Sequence, residues 1–167
     1  MGQKGVSVTK TIPIIRANIE DAEAILALQK RAYQSEAIIY NDQSLPPLVQ
    51  TIESLHAEFV DSVILKAVDK QQLVGSVRMK LKNDICYIGR LIVDPNHQGL
   101  GIGTQLLQAA ESFWNDAHSF ELFTGNRSER NIQLYERHGY EIIRTEMMTS
   151  DFGLIFLPKH TLKDTHV

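Results

Sequence analysis

The sequence predicts an α+β fold: a mixed, mostly antiparallel sheet of about seven strands flanked by about four helices. Three observations carry that prediction. From Ser62 to Val93 the chain is rich in β-branched and apolar residues, with two short polar breaks. A glycine-rich loop, Gln98 to Gly103, joins the end of this block to a segment of helical period. On either side of the block, apolar stripes at three- and four-residue spacing alternate with short strand-like runs.

The first ten residues are polar and lack an apolar period, which predicts a flexible lead over 1–10 and a strand near Ile12 to Arg16. Asn18 suits a helix N-cap, with Asp21 three positions on, and Ile25, Leu28 and Ala32 extend a helix to about Tyr33. After a polar turn around Asn41 to Ser44 and the pair Pro46 and Pro47, the side chains of Val49, Ile52, Leu55 and Phe59 fall on one face of a second helix. Breaks at Asp69 and Lys70, and at Asn83 and Asp84, divide the β-rich block into three antiparallel strands, the last stopped at Asp94 and Pro95. Ile102, Leu106, Leu107, Ala110, Phe113 and Trp114 make the stripe of a long third helix that starts inside the glycine loop. Phe120 to Phe123 is a buried strand. Ser128 then caps a short helix that ends at His138, before Gly139. Two closing strands, Tyr140 to Thr149 and Gly153 to Leu157, complete a single domain over 11–158, leaving 159–167 as a tail.

At 167 residues and 43% hydrophobic content, one core accounts for the chain. A formal net charge of -3 argues against nucleic acid as a partner. No apolar stretch is long enough to span a bilayer, and Val6 stands where N-myristoylation needs Ser or Thr, so no membrane partner is expected. Cys86 is the only cysteine, which excludes an internal disulfide and suits a reducing, cytoplasmic setting. No Cys/His cluster has zinc spacing, so no metal is expected.

The glycine loop holds the clearest chemistry. Gly99, Gly101 and Gly103 let backbone N–H groups approach a ligand without obstruction by Cβ. The first N–H groups of the following helix are unpaired and sit at the positive end of its dipole, which suits a pyrophosphate. A nucleotide P-loop is excluded because Thr104 and Gln105, not Lys and Ser or Thr, follow Gly103. The spacing also departs from the dinucleotide fingerprint, and the loop follows antiparallel strands. A turn that only packs strand against helix is the remaining alternative.

At Gln98, Gly101 and Gly103 the loop resembles the Arg/Gln-x-x-Gly-x-Gly/Ala motif of the GNAT superfamily of acetyl-CoA-dependent N-acetyltransferases. Downstream, Asn131, Tyr135, Gly139 and Tyr140 match that family's Asn-x-x-x-Tyr-x-x-x-Gly-Phe/Tyr segment. The order of elements from Ile12 to Leu157 is similar to the GNAT-like acyl-CoA N-acyltransferase fold. The resemblance implies acetyl-CoA as acetyl donor and direct transfer to a primary amine of a small molecule or peptide.

The resemblance also implies roles for individual residues. Gln98, Gly99, Leu100, Gly101, Ile102, Gly103 and Thr104 would hold the pyrophosphate. Leu91, Ile92 and Val93 would lie along the pantetheine arm, and a backbone N–H of Leu91 or Ile92 would polarise the thioester carbonyl. Tyr135 would protonate the departing thiolate, against the alternative of a helix tyrosine with a satisfied hydroxyl. Asn131, one turn earlier on the same face, would bind the pantetheine or be a plain helix-face residue. Glu36 is the candidate base or amine-binding carboxylate, weighed against a solvated surface glutamate. The residue pattern gives Cys86 a structural place in its strand. His97, Arg127 and Arg130 are equally well explained as surface residues. A non-catalytic acetyl-CoA sensor is the alternative function. The acceptor is not specified, and a homodimer through the edge or final strands stays open.

Overall fold

The structure, a computed structural model, describes residues 11–161. The expected lead at 1–10 and residues 162–167 of the expected tail lie outside them. Seven strands form one sheet: β1 (Ile14–Arg16), β2 (Val63–Asp69), β3 (Gln72–Lys82), β4 (Ile85–Val93), β5 (Ser119–Gly125), β6 (Arg144–Met147) and β7 (Gly153–His160). Their order is β1-β2-β3-β4-β5-β7-β6, and every neighbouring pair is antiparallel except β4 with β5. The helices are α1 (Ala22–Ala32), α2 (Gln34–Tyr40), α3 (Pro46–Val49), α4 (Ile52–Asp61), α5 (Ile102–Phe113) and α6 (Glu129–Arg137).

Both breaks expected in the β-rich block are two-residue hairpins. Lys70 and Gln71 (φ 50° and 66°) and Asn83 and Asp84 (φ 51° and 65°) take left-handed conformations, the geometry whose twist matches paired strands. The chain reaches α1 through a 3-10 turn, Ile19–Asp21. Asn18 and Asp21 form a reciprocal capping box there, as their spacing suggests.

The sheet is covered on both faces. On one, Ile102, Leu106, Leu107 and Ala110 of α5 pack on Val74, Val77, Cys86 and Ile88. On the other, Ala22, Ile25, Leu55 and Ile64 form a smaller cluster beneath α1 and α4. That second layer is also joined by polar groups. Arg78, 5% exposed, donates through Nη1 to Gln50 Oε1 (3.1 Å) and Glu58 Oε2 (2.6 Å), and through Nη2 to Gln29 Oε1. Gln29 in turn donates to the Pro47 carbonyl at 2.8 Å. One guanidinium thereby ties α1, the α3 segment and α4 to the middle of β3.

Several boundaries differ from expectation. No helix was expected after Tyr33, yet α2 occupies Gln34–Tyr40 and ends where Asn41 turns left-handed. Val49 belongs to the single turn α3 and is exposed, so the second long helix begins later, capped by Thr51. Ser128 holds the N-cap position of α6 but makes no cap hydrogen bond, because its hydroxyl is directed to Glu36. β6 is confined to Arg144–Met147, whereas β7 runs on through Lys159 and His160. These two residues, placed in the tail by their polarity, pair with Phe120 and Ser119, and Lys159 Nζ donates to Glu111 at 2.9 Å.

Two features of β4 shape the site. First, Ser76 pairs with Ile92 and Arg78 with Gly89, so Arg90 and Leu91 together oppose Val77 in a β-bulge, with Arg90 at φ 49°. Second, β4 pairs with β5 only over Ile85–Tyr87. Beyond Tyr87 the two parallel strands part, and a cleft opens between them.

Candidate active site

The cleft has a volume of about 330 Å³. Leu91, Ile92 and Val93 from the parted end of β4 line it, with Gln98, Gly99, Gly101, Ile102, Gly103 and Thr104 from the glycine loop and start of α5. Tyr33, Glu36, Ser128 and Asn131 complete its opposite end. Residues far apart in the chain, and named from sequence for different tasks, are thus brought to one cavity. Leu100 is the exception within the loop, since its side chain packs on the core and does not line the cleft.

The loop end is built from backbone. Gly99 and Gly101 have φ of 79° and 81°, a region that other residues enter at a cost. Gly101 is the N-cap of α5, whose first amides point to the cleft end without a side-chain cap. A Cβ on Gly99 would meet nothing within 4 Å, and one on Gly103 would meet only Leu134 at 3.5 Å and Val93 at 3.8 Å. The space above Gly99 is therefore open to a ligand, and that at Gly103 is bounded by two side chains of the cleft wall. Asp94 anchors the loop's entry by accepting from Asn96 N (2.9 Å) and Arg31 Nη2 (3.3 Å). Burial alone would raise its carboxyl, but these donors outweigh burial and hold it below the usual carboxylate range. His97 lines the cleft with Nδ1 3.6 Å from Asp94, beyond hydrogen-bond length. Arg130, also on the cleft, donates to Gln98 Oε1. Arg127 lies apart, its guanidinium 5.0 Å from the centre of the Tyr40 ring.

The other end is built from side chains. Glu36 Oε2 accepts from Ser128 Oγ at 2.6 Å, and Glu36 Oε1 from Asn131 Nδ2 at 3.4 Å. Since a serine has one proton to give, the Tyr40 hydroxyl, 2.7 Å from Ser128 Oγ, is the donor in that contact. Tyr40 itself accepts from Arg127 N at 3.0 Å. This chain of bonds pulls α2 across the cleft onto the start of α6. Gly125 is required beneath it, because a Cβ there would stand 1.9 Å from the Tyr40 hydroxyl oxygen.

Tyr135 does not line the cleft wall. It is 6% exposed in the core under α6, its ring 6.1 Å from that of Tyr140. Burial pushes its phenol well above the ordinary tyrosine range, and the nearby Tyr33 phenol and Glu36 carboxylate add to the shift. Tyr135 is therefore a protonated donor at neutral pH, close to the end where Glu36 sits. Cys86 is buried, with its thiol pushed up to about 12 by burial and the Glu111 carboxylate. That leaves no thiolate to act as a nucleophile at neutral pH.

Sequence reasoning passed over Tyr33, Tyr40 and Ser128's bond to Glu36. The first two were detectable, because Tyr33, Glu36 and Tyr40 recur at helical spacing and so share a face. Among the described residues no cluster of three or more His, Cys, Asp or Glu could hold a metal ion, and no helix is long and apolar enough to cross a membrane.

Comparison with known proteins agrees with this geometry. Residues 61–142 match the family model described as an acetyltransferase (GNAT) domain. The UPF0157 protein YqkA of Bacillus subtilis (strain 168) is 27% identical over 139 residues, covering 83% of this chain but only 39% of that protein. Among solved structures, the PaiA N-acetyltransferase of Thermoplasma acidophilum in complex with coenzyme A superposes with a TM-score of 0.77 at 20% identity, covering 90% of this chain and 99% of that one. The ribosomal-protein-S18-alanine N-acetyltransferase of Escherichia coli gives 0.76 at 13% identity, covering 94% and 99%.

Proposed function

From the match of residues 61–142 to the acetyltransferase (GNAT) domain, we propose that the chain is a GNAT acetyltransferase and moves an acetyl group from acetyl-CoA directly to a primary amine within this cleft. One observation carries the reading. The parting of β4 from β5 makes one continuous cavity, with the glycine-loop amides at one end and Glu36, beside the buried Tyr135, at the other.

Acetyl-CoA supplies the reactive thioester. The open glycine loop and the α5 N-terminus present the donors a pyrophosphate needs. Leu91, Ile92 and Val93, beyond the last pairing with β5, line the path between the two ends, and in this reading a backbone N–H of Leu91 or Ile92 polarises the thioester carbonyl. Tyr135 gives its proton to the departing thiolate of coenzyme A. Glu36, held by Ser128 and Asn131, receives the acceptor's ammonium and takes its proton, directly or through water. A lysine-like amine must be deprotonated at a cost of roughly 4 to 5 kcal/mol at neutral pH, and a fixed carboxylate offsets part of it. Asn131 acts here as a positioning residue for Glu36, since its amide bonds Glu36 and Thr124. A lone, buried thiol fits action in the reducing cytoplasm.

The test has two parts. Acetyl-CoA should raise the melting temperature, and free thiol should then appear in an amine-dependent manner when polyamines, amino acids, aminoglycosides and short peptides are supplied. Stabilisation with no thiol release across the panel would favour a non-catalytic acetyl-CoA sensor; no stabilisation would remove the cofactor assignment itself.

A further inference from the structure

Two arginines stand on the acceptor side of the sheet, and they differ in what neutralises them. Arg78 is spent on structure: Glu58, Gln50 and Gln29 take its Nη donors. Arg90 has no ion pair among the described residues; its buried Nε, like that of Arg78, has no hydrogen-bond partner, and the side chain it does bond is the neutral phenol of Tyr33. Its neighbours are the Tyr33 phenol and the like charge of Arg78. A partly buried guanidinium beside another guanidinium, with no carboxylate of its own, is a costly arrangement that an anion would relieve.

Glu36 is its counterpart. Its carboxylate is bonded only by the neutral groups of Ser128 and Asn131, and no cation pairs with it among the described residues. Tyr33, which lines the cleft with Glu36, is within electrostatic reach of both, and Arg90 directly precedes the cleft-lining Leu91 on β4. The bulge explains how Arg90 comes to be there. Its φ of 49° breaks the strand's alternation at the residue after Gly89.

Space for a ligand adjoins this pair of charges. Gly89 sits in a central strand, opposite Arg78, yet it is exposed, and a Cβ there would meet nothing within 4 Å. Tyr87, two residues earlier on the same face, is 41% exposed. The helical layer therefore leaves the middle of β4 uncovered next to Arg90.

We infer that the acceptor is a zwitterion of the α-amino-acid type, its amine drawn to Glu36 and its carboxylate to Arg90, with its body over Tyr33 and the open surface at Gly89. The inference rests on the proposed acetyl transfer and narrows it. It selects acceptors carrying an anionic group next to the amine over polyamines and other purely cationic amines.

The experiment compares thiol release from acetyl-CoA with three acceptor sets: the common α-amino acids, their carboxamides and the matching decarboxylated amines. Wild type, Arg90→Gln and Gly89→Val are each tested, after acetyl-CoA-induced stabilisation has shown that each variant binds the cofactor. At least one amino acid should exceed its decarboxylated amine about 10- to 100-fold in kcat/KM, the worth of a charge-assisted hydrogen bond. Arg90→Gln should remove that preference through KM, leaving the decarboxylated amine within about twofold, and Gly89→Val should raise KM for bulky amino acids while sparing acetyl-CoA binding. Equal or better turnover of the decarboxylated amines would overturn the inference, as would an equal loss on both acceptors in Arg90→Gln. So would intact acetyl-CoA binding with no amino acid accepted. A wild-type chain that fails to bind acetyl-CoA overturns instead the transfer reading beneath it.

Discussion

The two ends of the cleft are made of different material. At the loop end the functional groups are peptide N–H donors, placed by glycine conformations and by the start of α5. At the acceptor end they are charged and phenolic side chains from α2, β4 and α6, held by hydrogen bonds between residues up to 95 positions apart. A backbone site depends on a few adjacent residues, whereas a side-chain site depends on how separate layers pack. The two ends should therefore fail differently when perturbed.

The largest effect is expected where the acceptor layer is tied to the sheet. Arg78→Met removes the donor shared by Glu58, Gln50 and Gln29, leaving buried amide groups unpaired. Breaking a buried ion pair costs about 3 to 5 kcal/mol, and Glu58's 38% exposure brings the expectation to about 3. Urea unfolding should show that loss, and acceptor KM should rise. Acetyl-CoA affinity of the folded fraction should stay within about threefold. An equal loss of acetyl-CoA affinity would mean that the ends are not separable.

Tyr135→Phe tests the point where they meet. The ring is buried against Tyr140 and its packing survives the change, so stability should alter little while kcat falls about 100-fold, roughly 2.7 kcal/mol of transition-state stabilisation. Stopped-flow thiol release resolves the chemical step. An unchanged rate would assign protonation of the leaving thiolate to another donor or to water.

The same contrast explains how much of the molecule was legible in its sequence. Hairpin breaks, the stripe of α5 from Ile102 to Ala110 and the glycine loop are local patterns, and each appears in the structure near its expected place, whereas Phe113 is exposed and Trp114 stands past the helix end. So does Gly139, at φ 90° after α6. By contrast, Ser128 reads as a cap because its neighbours in sequence are helical, but its bond is with Glu36, 92 residues away. Arg78 and Arg90 look alike in a strand, and only the third dimension supplies the Glu58 carboxylate to one and the neutral Tyr33 phenol to the other. The role of Lys159 and His160 in β7 was likewise invisible, because their partners lie on β5 and α5.

Gly103→Ala sharpens the comparison from the loop end. The added methyl finds ordinary contacts with Leu134 and Val93, and alanine is the better helix residue, so stability should hold or rise by up to about 1 kcal/mol. The methyl nevertheless takes up space on the cleft wall that Gly103 shares with Leu134 and Val93. Acetyl-CoA affinity measured by calorimetry should fall about tenfold while the protein becomes no less stable. Unchanged affinity would leave the loop with a packing role only.

The smallest effect concerns the seam where β4 and β5 still pair and both ends share a floor. Cys86 lies there, opposite Phe120, with its thiol pushed up to about 12 by burial and Glu111. An unfolded cysteine loses its proton near pH 8.5, whereas the folded one keeps it, so the folded state binds more protons in between and stability must fall as pH rises. One such proton is worth about 1 kcal/mol between pH 9 and 10. The buried phenols of Tyr135 and Tyr140, also raised, act in the same direction at higher pH. Urea unfolding across that unit of pH should show the decline in wild type and a flatter profile in Cys86→Ala. The slope is the readout, because the packing lost with the sulfur is the same at every pH and leaves the slope unchanged. Equal slopes would mean that the thiol ionises in the folded protein, and that the seam admits water between the two ends of the cleft.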